Sequence, residues 1–208
     1  MSGIPADERR PDWLVGIAAS AGGIGAIRTI LAALPLDLPA AVVLLQHRSP
    51  IRQDGMGAVL TRGTPWQIRL AAAGEPLRTG QIYLARPDRH LIVSPDRTFE
   101  YRDGTKIKFV RSSANPLFAS AARVFEGRFI AVVLTGGGSD ATDGVQEVKA
   151  CGGVVIAQDP ATAEHWSMPR SAIASGAVDY VLPIDAIAPA IAHLVRGEAV
   201  PAVSGGIA

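Results

Sequence analysis

The sequence predicts an α/β protein built on a doubly wound, mostly parallel sheet, a Rossmann-like three-layer sandwich with a hairpin-rich β insertion. Short, almost unbroken apolar runs recur along the chain, as in strands buried on both faces. Segments with apolar residues at helical spacing alternate with these runs, the signature of strand–helix–strand units. The 208 residues are 48% hydrophobic and 19% charged, enough apolar material for one substantial core.

Trp13 to Ala18 reads as the first buried strand. Gly22 and Gly23 follow, then Ile27, Ile30, Leu31 and Leu34 at helical spacing, stopped by Pro35. Ala40 to Leu45 is the second strand and ends at Gln46-His47. From Trp66 to Val110 the texture changes: Ile82 to Leu84, Leu91 to Val93, Phe99 to Tyr101 and Ile107 to Val110 are short runs broken by Pro, Asp and Gly, which predicts a β insertion with hairpins. Asn115 is expected to open a helix reaching about Glu126. Phe129 to Leu134 and Val154 to Ala157 are two more buried strands with a helix between them; Val178 to Leu182 is another, and Ile184 to Val195 is the closing helix. Residues 1–12 are expected to be a flexible leader and 197–208 a frayed tail around one domain over 13–196.

A formal net charge of +1 gives no reason to expect nucleic acid as a partner. Cys151 is the lone cysteine, so an internal disulfide and a thiolate zinc site are both excluded. The first residues lack an apolar signal core and no run approaches the ~18 apolar residues of a membrane span, which predicts a cytoplasmic chain without membrane insertion.

The strand-end loops carry the chemistry. Ala18-Ala19-Ser20-Ala21-Gly22-Gly23 places a serine among small residues where the first strand passes to the first helix. Such a turn lifts a hydroxyl above the carboxyl edge of the sheet, where ligands of open α/β sheets bind. Helix N–H groups aimed at it would stabilise an oxyanion. Taken alone, the loop fits a helix-capping serine better than a nucleophile. Gly23-Ile24-Gly25 lacks the third glycine of a dinucleotide loop, and the next strand ends in Gln-His where that loop needs an acidic residue, so nucleotide binding is disfavoured. His47 directly follows the second strand and reaches the same edge; a neutral histidine there can take the serine proton. His90, His165 and His193 compete, but none follows a predicted parallel strand so closely. After the strand ending at Leu134 comes Thr135-Gly136-Gly137-Gly138-Ser139-Asp140, whose glycines leave donors free and whose aspartate can orient a histidine. Asp143, with Gln146 three residues on, reads as the N-cap of the next helix.

In this order the motifs resemble the catalytic domain of the chemotaxis methylesterase (CheB) family. Ile17 to Gly23 is similar to its nucleophile turn, Gln46-His47 to its catalytic Gln-His pair, and Leu134 to Asp140 to its aspartate loop. The likeness continues through Gln81 to Ala85 with Asp88 and His90, Pro116 to Phe118, Gly152 to Asp159 and Met168 to Arg170. It implies hydrolysis of glutamate γ-methyl esters on the cytoplasmic helices of chemoreceptors, with deamidation of selected glutamines, and no cofactor. Carried across by position, Ser20 is the nucleophile, His47 the general base and acid, and Asp140 the orienting carboxylate; the backbone N–H groups of Ala21 and Gly137 are the oxyanion donors.

Departures from the family pattern are Ala18 for a glycine, Gly137 for a methionine, Asn115 for an aspartate and Ser167 for a glycine. The resemblance also implies an amino-terminal receiver domain, which about a dozen residues before the first strand cannot supply. The expectation is therefore a stand-alone catalytic domain or a piece of a longer chain, with a receiver domain or a methyltransferase as partner in trans. A catalytically idle module of the same fold, holding receptor helices or a signalling partner, is the alternative; the intact Ser20, His47 and Asp140 set favours the enzyme.

Overall fold

The computed structural model describes residues 10–47, 55–104 and 112–201. Among these residues, seven strands form one parallel sheet: β1 (Trp13–Ala19), β2 (Ala40–Gln46), β3 (Ile68–Leu70), β4 (Ile82–Leu84), β7 (Phe129–Val133), β8 (Val154–Gln158) and β9 (Tyr180–Leu182). Their order is β3-β4-β2-β1-β7-β8-β9. The chain thus builds outward from β1 on one side, then returns to build outward on the other. That reversal opens a crevice at the carboxyl ends of β1 and β7, the usual place for a site in such sheets.

Strand side chains alternate between two cores because successive residues face opposite sides of a sheet. Val15 and Ile17 of β1 pack with Ile27 and Ile30 of α1 (Gly23–Ala33), Leu60 of α2 (Met56–Thr61) and Ile191 of α6 (Ile184–Val195). Leu14 and Ala18 pack into the opposite layer with Phe118 of α3 (Ala114–Phe125), Val145 of α4 (Thr142–Ala150) and Met168 of α5 (Ser167–Ala174). Helices on both faces explain why the strands read as continuous apolar runs. Phe118 meets Phe129 edge to face with ring centroids 5.8 Å apart. This contact holds α3 over β7, and truncating Phe118 to alanine would cost about 3–5 kcal/mol.

The segment expected to be an insertion of hairpins divides differently. Among its described strands, only β5 (His90–Val93) and β6 (Phe99–Arg102) pair antiparallel. β4 joins the main sheet parallel to β2, with Val42 opposite Ile82, and β3 extends that edge. A three-residue apolar run carries no information about the direction of its partner, so the sequence pattern could not separate the two cases. The expected strand at 107–110, residues 1–9 of the expected leader and residues 202–208 of the expected tail lie outside the described residues. A second correction concerns Asp143. The N-cap of α4 is Ala141, at φ 76°, and Asp143 is an exposed residue of the first turn.

Candidate active site

The backbone ladders run up to the three loops and bring them together. Ala19 lies opposite Gln46 in the β1–β2 register, and His47 N–H donates to Ala19 O at 2.9 Å. On the other side, Leu134 N–H donates to Ala18 O at 2.9 Å, and Ser20 N–H donates to Thr135 O at 3.0 Å. Ser20, His47 and the loop after β7 therefore leave the sheet at one level, on adjacent central strands.

Ser20 does not cap α1. The N-cap is Gly22, in the left-handed region at φ 75°, with no side-chain cap bond. The serine hydroxyl makes no hydrogen bond among the described residues. Its loop is held from two sides. Gln46, only 6% exposed, donates from Nε2 to Ser20 O at 2.7 Å and to His47 O at 3.0 Å, so one amide ties the serine turn to the histidine backbone. Thr135 Oγ1 donates to Ala21 O at 3.0 Å from the opposite side. Gly136 approaches closely: a Cβ there would stand 2.8 Å from Ser20 Cβ and 3.0 Å from Met168 Sδ, which no side chain can accommodate without displacing the serine.

His47 Nε2 lies 2.7 Å from Asp140 Oδ2, with the two side chains 9% and 2% exposed. The ring nitrogen left for another partner is Nδ1. Asp140 is itself well held: Oδ1 accepts from Ser113 Oγ at 2.5 Å, and Oδ2 accepts from Ala114 N–H at 2.7 Å. Both donors belong to the start of α3, where Ser113 is the N-cap, so the positive end of that helix also faces the carboxylate. Burial pushes the Asp140 carboxyl up. The bond and charge of His47, the Ala114 N–H and the Ser113 hydroxyl together outweigh burial and hold it below its ordinary value. An ionised carboxylate that fixes one histidine tautomer is the consequence.

The N–H groups of Ala21 and Gly137 make no hydrogen bond among the described residues, and both residues are exposed. Around Gly137 no atom lies within 4 Å of where a Cβ would stand, so the rim is open there. The other histidines are engaged elsewhere: His90 is buried at the start of β5 and accepts the Ser113 N–H at Nδ1, His193 lies on α6 beside Glu198, and the half-exposed His165 contributes its carbonyl, which accepts Gly136 N–H at 2.9 Å. Ser113 and Ala114 were absent from the sequence reading. A serine two residues before a predicted helix start is a cap signal, but nothing local in it announces a partner 27 residues away.

Comparison with known proteins decides the family. A family model described as CheB methylesterase matches residues 15–191. The chain belongs to the CheB methylesterase family. A relative from Rhizobium meliloti, named protein-glutamate methylesterase/protein-glutamine glutaminase of group 3 operon, is 41% identical over 197 residues, which cover 95% of this chain and 56% of that protein. A relative from Leptospira interrogans, named putative protein-glutamate methylesterase/protein-glutamine glutaminase, is 40% identical over 173 residues, 83% of this chain and 89% of its own length. The chain thus spans little more than half of the Rhizobium protein and most of the Leptospira one. The crystal structure of the Thermotoga maritima CheB methylesterase catalytic domain superposes with a TM-score of 0.84 at 34% identity, covering 88% of this chain and 98% of that one. In this CheB-family chain Asn115 serves α4: its Oδ1 accepts Gly144 N–H at 2.8 Å.

Proposed function

We propose that this chain is a serine hydrolase that removes methyl esters from glutamate side chains on the cytoplasmic helices of chemoreceptors, and deamidates receptor glutamines by the same route. The observation that carries the proposal is the His47–Asp140 pair at 2.7 Å, tied through Gln46 to a serine turn whose hydroxyl makes no hydrogen bond among the described residues. Family membership and the names of the relatives support the same reading.

In this mechanism Ser20 Oγ attacks the ester carbonyl carbon as its proton passes to His47 Nδ1. Asp140 stays ionised and stabilises the imidazolium. The oxyanion rests on the N–H groups of Ala21 and Gly137 at the amino-terminal end of α1 and in the glycine loop. Collapse expels the methoxy group, which takes the proton from His47 and leaves as methanol. Water then attacks the glutamyl ester with His47 again as base, releasing the carboxylate and restoring Ser20. With a glutamine, ammonia leaves in place of methanol. No Ser20–His47 hydrogen bond is made among the described residues; in this mechanism the contact tightens as the proton passes.

Among the described residues no helix is long and apolar enough to cross a membrane. A cytoplasmic location, and a receiver domain or methyltransferase acting in trans, belong to the proposal. The test is methanol release from methylated receptor fragments, with Ser20→Ala as control. A fluorophosphonate should label Ser20 in the folded protein and not after heating. Methanol release that survives Ser20→Ala would end the proposal.

A further inference from the structure

The loop between β8 and α5 is woven into the serine turn. His165 N–H donates to Thr135 Oγ1 at 2.8 Å, the same hydroxyl donates to Ala21 O at 3.0 Å, and Gly136 N–H donates to His165 O at 2.9 Å. The loop is also anchored from below, where Gln158 Nε2 donates to Thr162 O at 2.9 Å. Glu164 precedes His165 in this tethered stretch. Its side chain fills the space beside Gly22: a Cβ at Gly22 would stand 2.7 Å from Glu164 Oε2 and 3.1 Å from Glu164 Cβ. Consecutive Cα atoms are about 3.8 Å apart, so Gly22 Cα lies within about 7.6 Å of Ser20 Cα. A carboxylate on a mostly exposed side chain thereby lies against Gly22, two residues along the turn from Ser20.

Its charge is only lightly offset. Among the described residues its one ion-pair partner is His165, at 3.5 Å, with the two side chains 49% and 71% exposed. The reaction at Ser20 needs no acid at that place, since Asp140 already orients His47 and Ala21 and Gly137 supply the donors. An approaching substrate meets the Glu164 charge all the same.

We propose that Glu164 sets the charge selectivity of the site, favouring esters that bring a cationic group beside the scissile carbonyl and disfavouring those flanked by carboxylates. This rests on Ser20 being the nucleophile. Two unit charges about 7 Å apart in a water-like medium change a rate by about 3-fold, so exchanging a cationic flank for an anionic one amounts to about 10-fold.

The experiment measures the rate of Ser20 labelling by three fluorophosphonates that differ only in a trimethylammonium, a neutral or a carboxylate tail. It is run on the full chain and on Glu164→Gln and Glu164→Lys, with melting curves confirming that all three are folded. The native protein should prefer the cationic to the anionic probe by about 10-fold, Glu164→Gln should bring the ratio close to the intrinsic ratio of the probes, and Glu164→Lys should invert it. High salt should shrink the native preference. Efficient labelling by the neutral probe with one and the same tail ratio in all three proteins would overturn the role of Glu164 while leaving Ser20 as nucleophile. No labelling of Ser20 by any probe would overturn the nucleophile assignment and this inference with it.

Discussion

Ser113 Oγ and Asp140 Oδ1, 27 residues apart in the chain, are joined by a hydrogen bond of 2.5 Å inside the protein. Ser113 is fully buried, so the bond is made away from water, where an unpaired acceptor is costly. Ser113→Ala should therefore destabilise the fold by about 1–3 kcal/mol. It should also slow turnover, because Asp140 would keep only the Ala114 N–H of the two donors that fix it against His47. Chemical denaturation and ester turnover on the same preparation test both effects; an unchanged midpoint would mean that the bond is not made in solution.

Asp140 also predicts how stability depends on pH. Its carboxyl is held below the ordinary value of 3.8 in the folded protein. A carboxyl depressed on folding contributes stability that is complete above its unfolded value and is lost as pH falls through the lower folded value. The stability gap between the native protein and Asp140→Asn should be widest near neutrality and should narrow as pH falls below about 4. Urea melts at a series of pH values measure it, and a gap that widens in acid would contradict the sign.

Two nearby carboxylates should behave differently. Asp140→Asn should keep the fold yet lower turnover by up to about 10⁴-fold, since an asparagine amide would favour the wrong histidine tautomer. Asp143 lies exposed in the first turn of α4 and is not its cap. Its replacement by asparagine or alanine should cost the helix-dipole interaction, about 0.3–1 kcal/mol, among its contacts, with turnover retained. Single-turnover rates and thermal melts on the three variants separate the roles; a dead Asp143→Asn would reverse them.

Gln46→Leu removes the donor that the Ser20 and His47 carbonyls share while keeping an apolar filler of similar length. Small displacements of a nucleophile from its base are expensive, and turnover should fall by about 10²-fold. The loss should appear in kcat, with KM little altered, because Gln46 is buried beneath the turn. An unaltered kcat would show that the turn keeps its shape without this bridge.

Gly136→Ala is the steric counterpart. The added methyl would meet Ser20 Cβ at 2.8 Å. Overpacking of this kind costs about 1–3 kcal/mol, and fluorophosphonate labelling of Ser20 should slow together with the melting temperature. Native labelling kinetics in a stable Gly136→Ala protein would refute the close approach.

Much of this arrangement was legible in the residues. Strands covered on both faces leave continuous apolar runs, so β1, β2, β7 and β8 were visible, and with them the positions of Ser20, His47 and Asp140 at their ends. β4 was misread because a three-residue run does not disclose whether its neighbour runs parallel or antiparallel, and β3, with a charged residue at its centre, went unread. The start of α4 was misplaced because the chain enters it through Ala141 at φ 76°, a conformation that alanine does not advertise. α2 and α5 went unread: neither has a side-chain cap bond, and the α5 N-cap is Trp166. The partnership of Ser113 with Asp140 is tertiary and leaves no local mark.

The placement of Ser20, His47 and Asp140 on the ends of three neighbouring central strands has a consequence for folding. The three residues follow separate strands, and Asp140 is fixed from the start of α3, so no small part of the molecule can assemble the site alone. Parallel neighbours must be joined across long stretches of chain, and such pairings form late and dissolve together. Labelling competence at Ser20 should then vanish in the same cooperative step as the far-ultraviolet signal of the whole sheet, with no window in which structure persists without a reactive serine. The hydroxyl is in this sense a reporter of global unfolding.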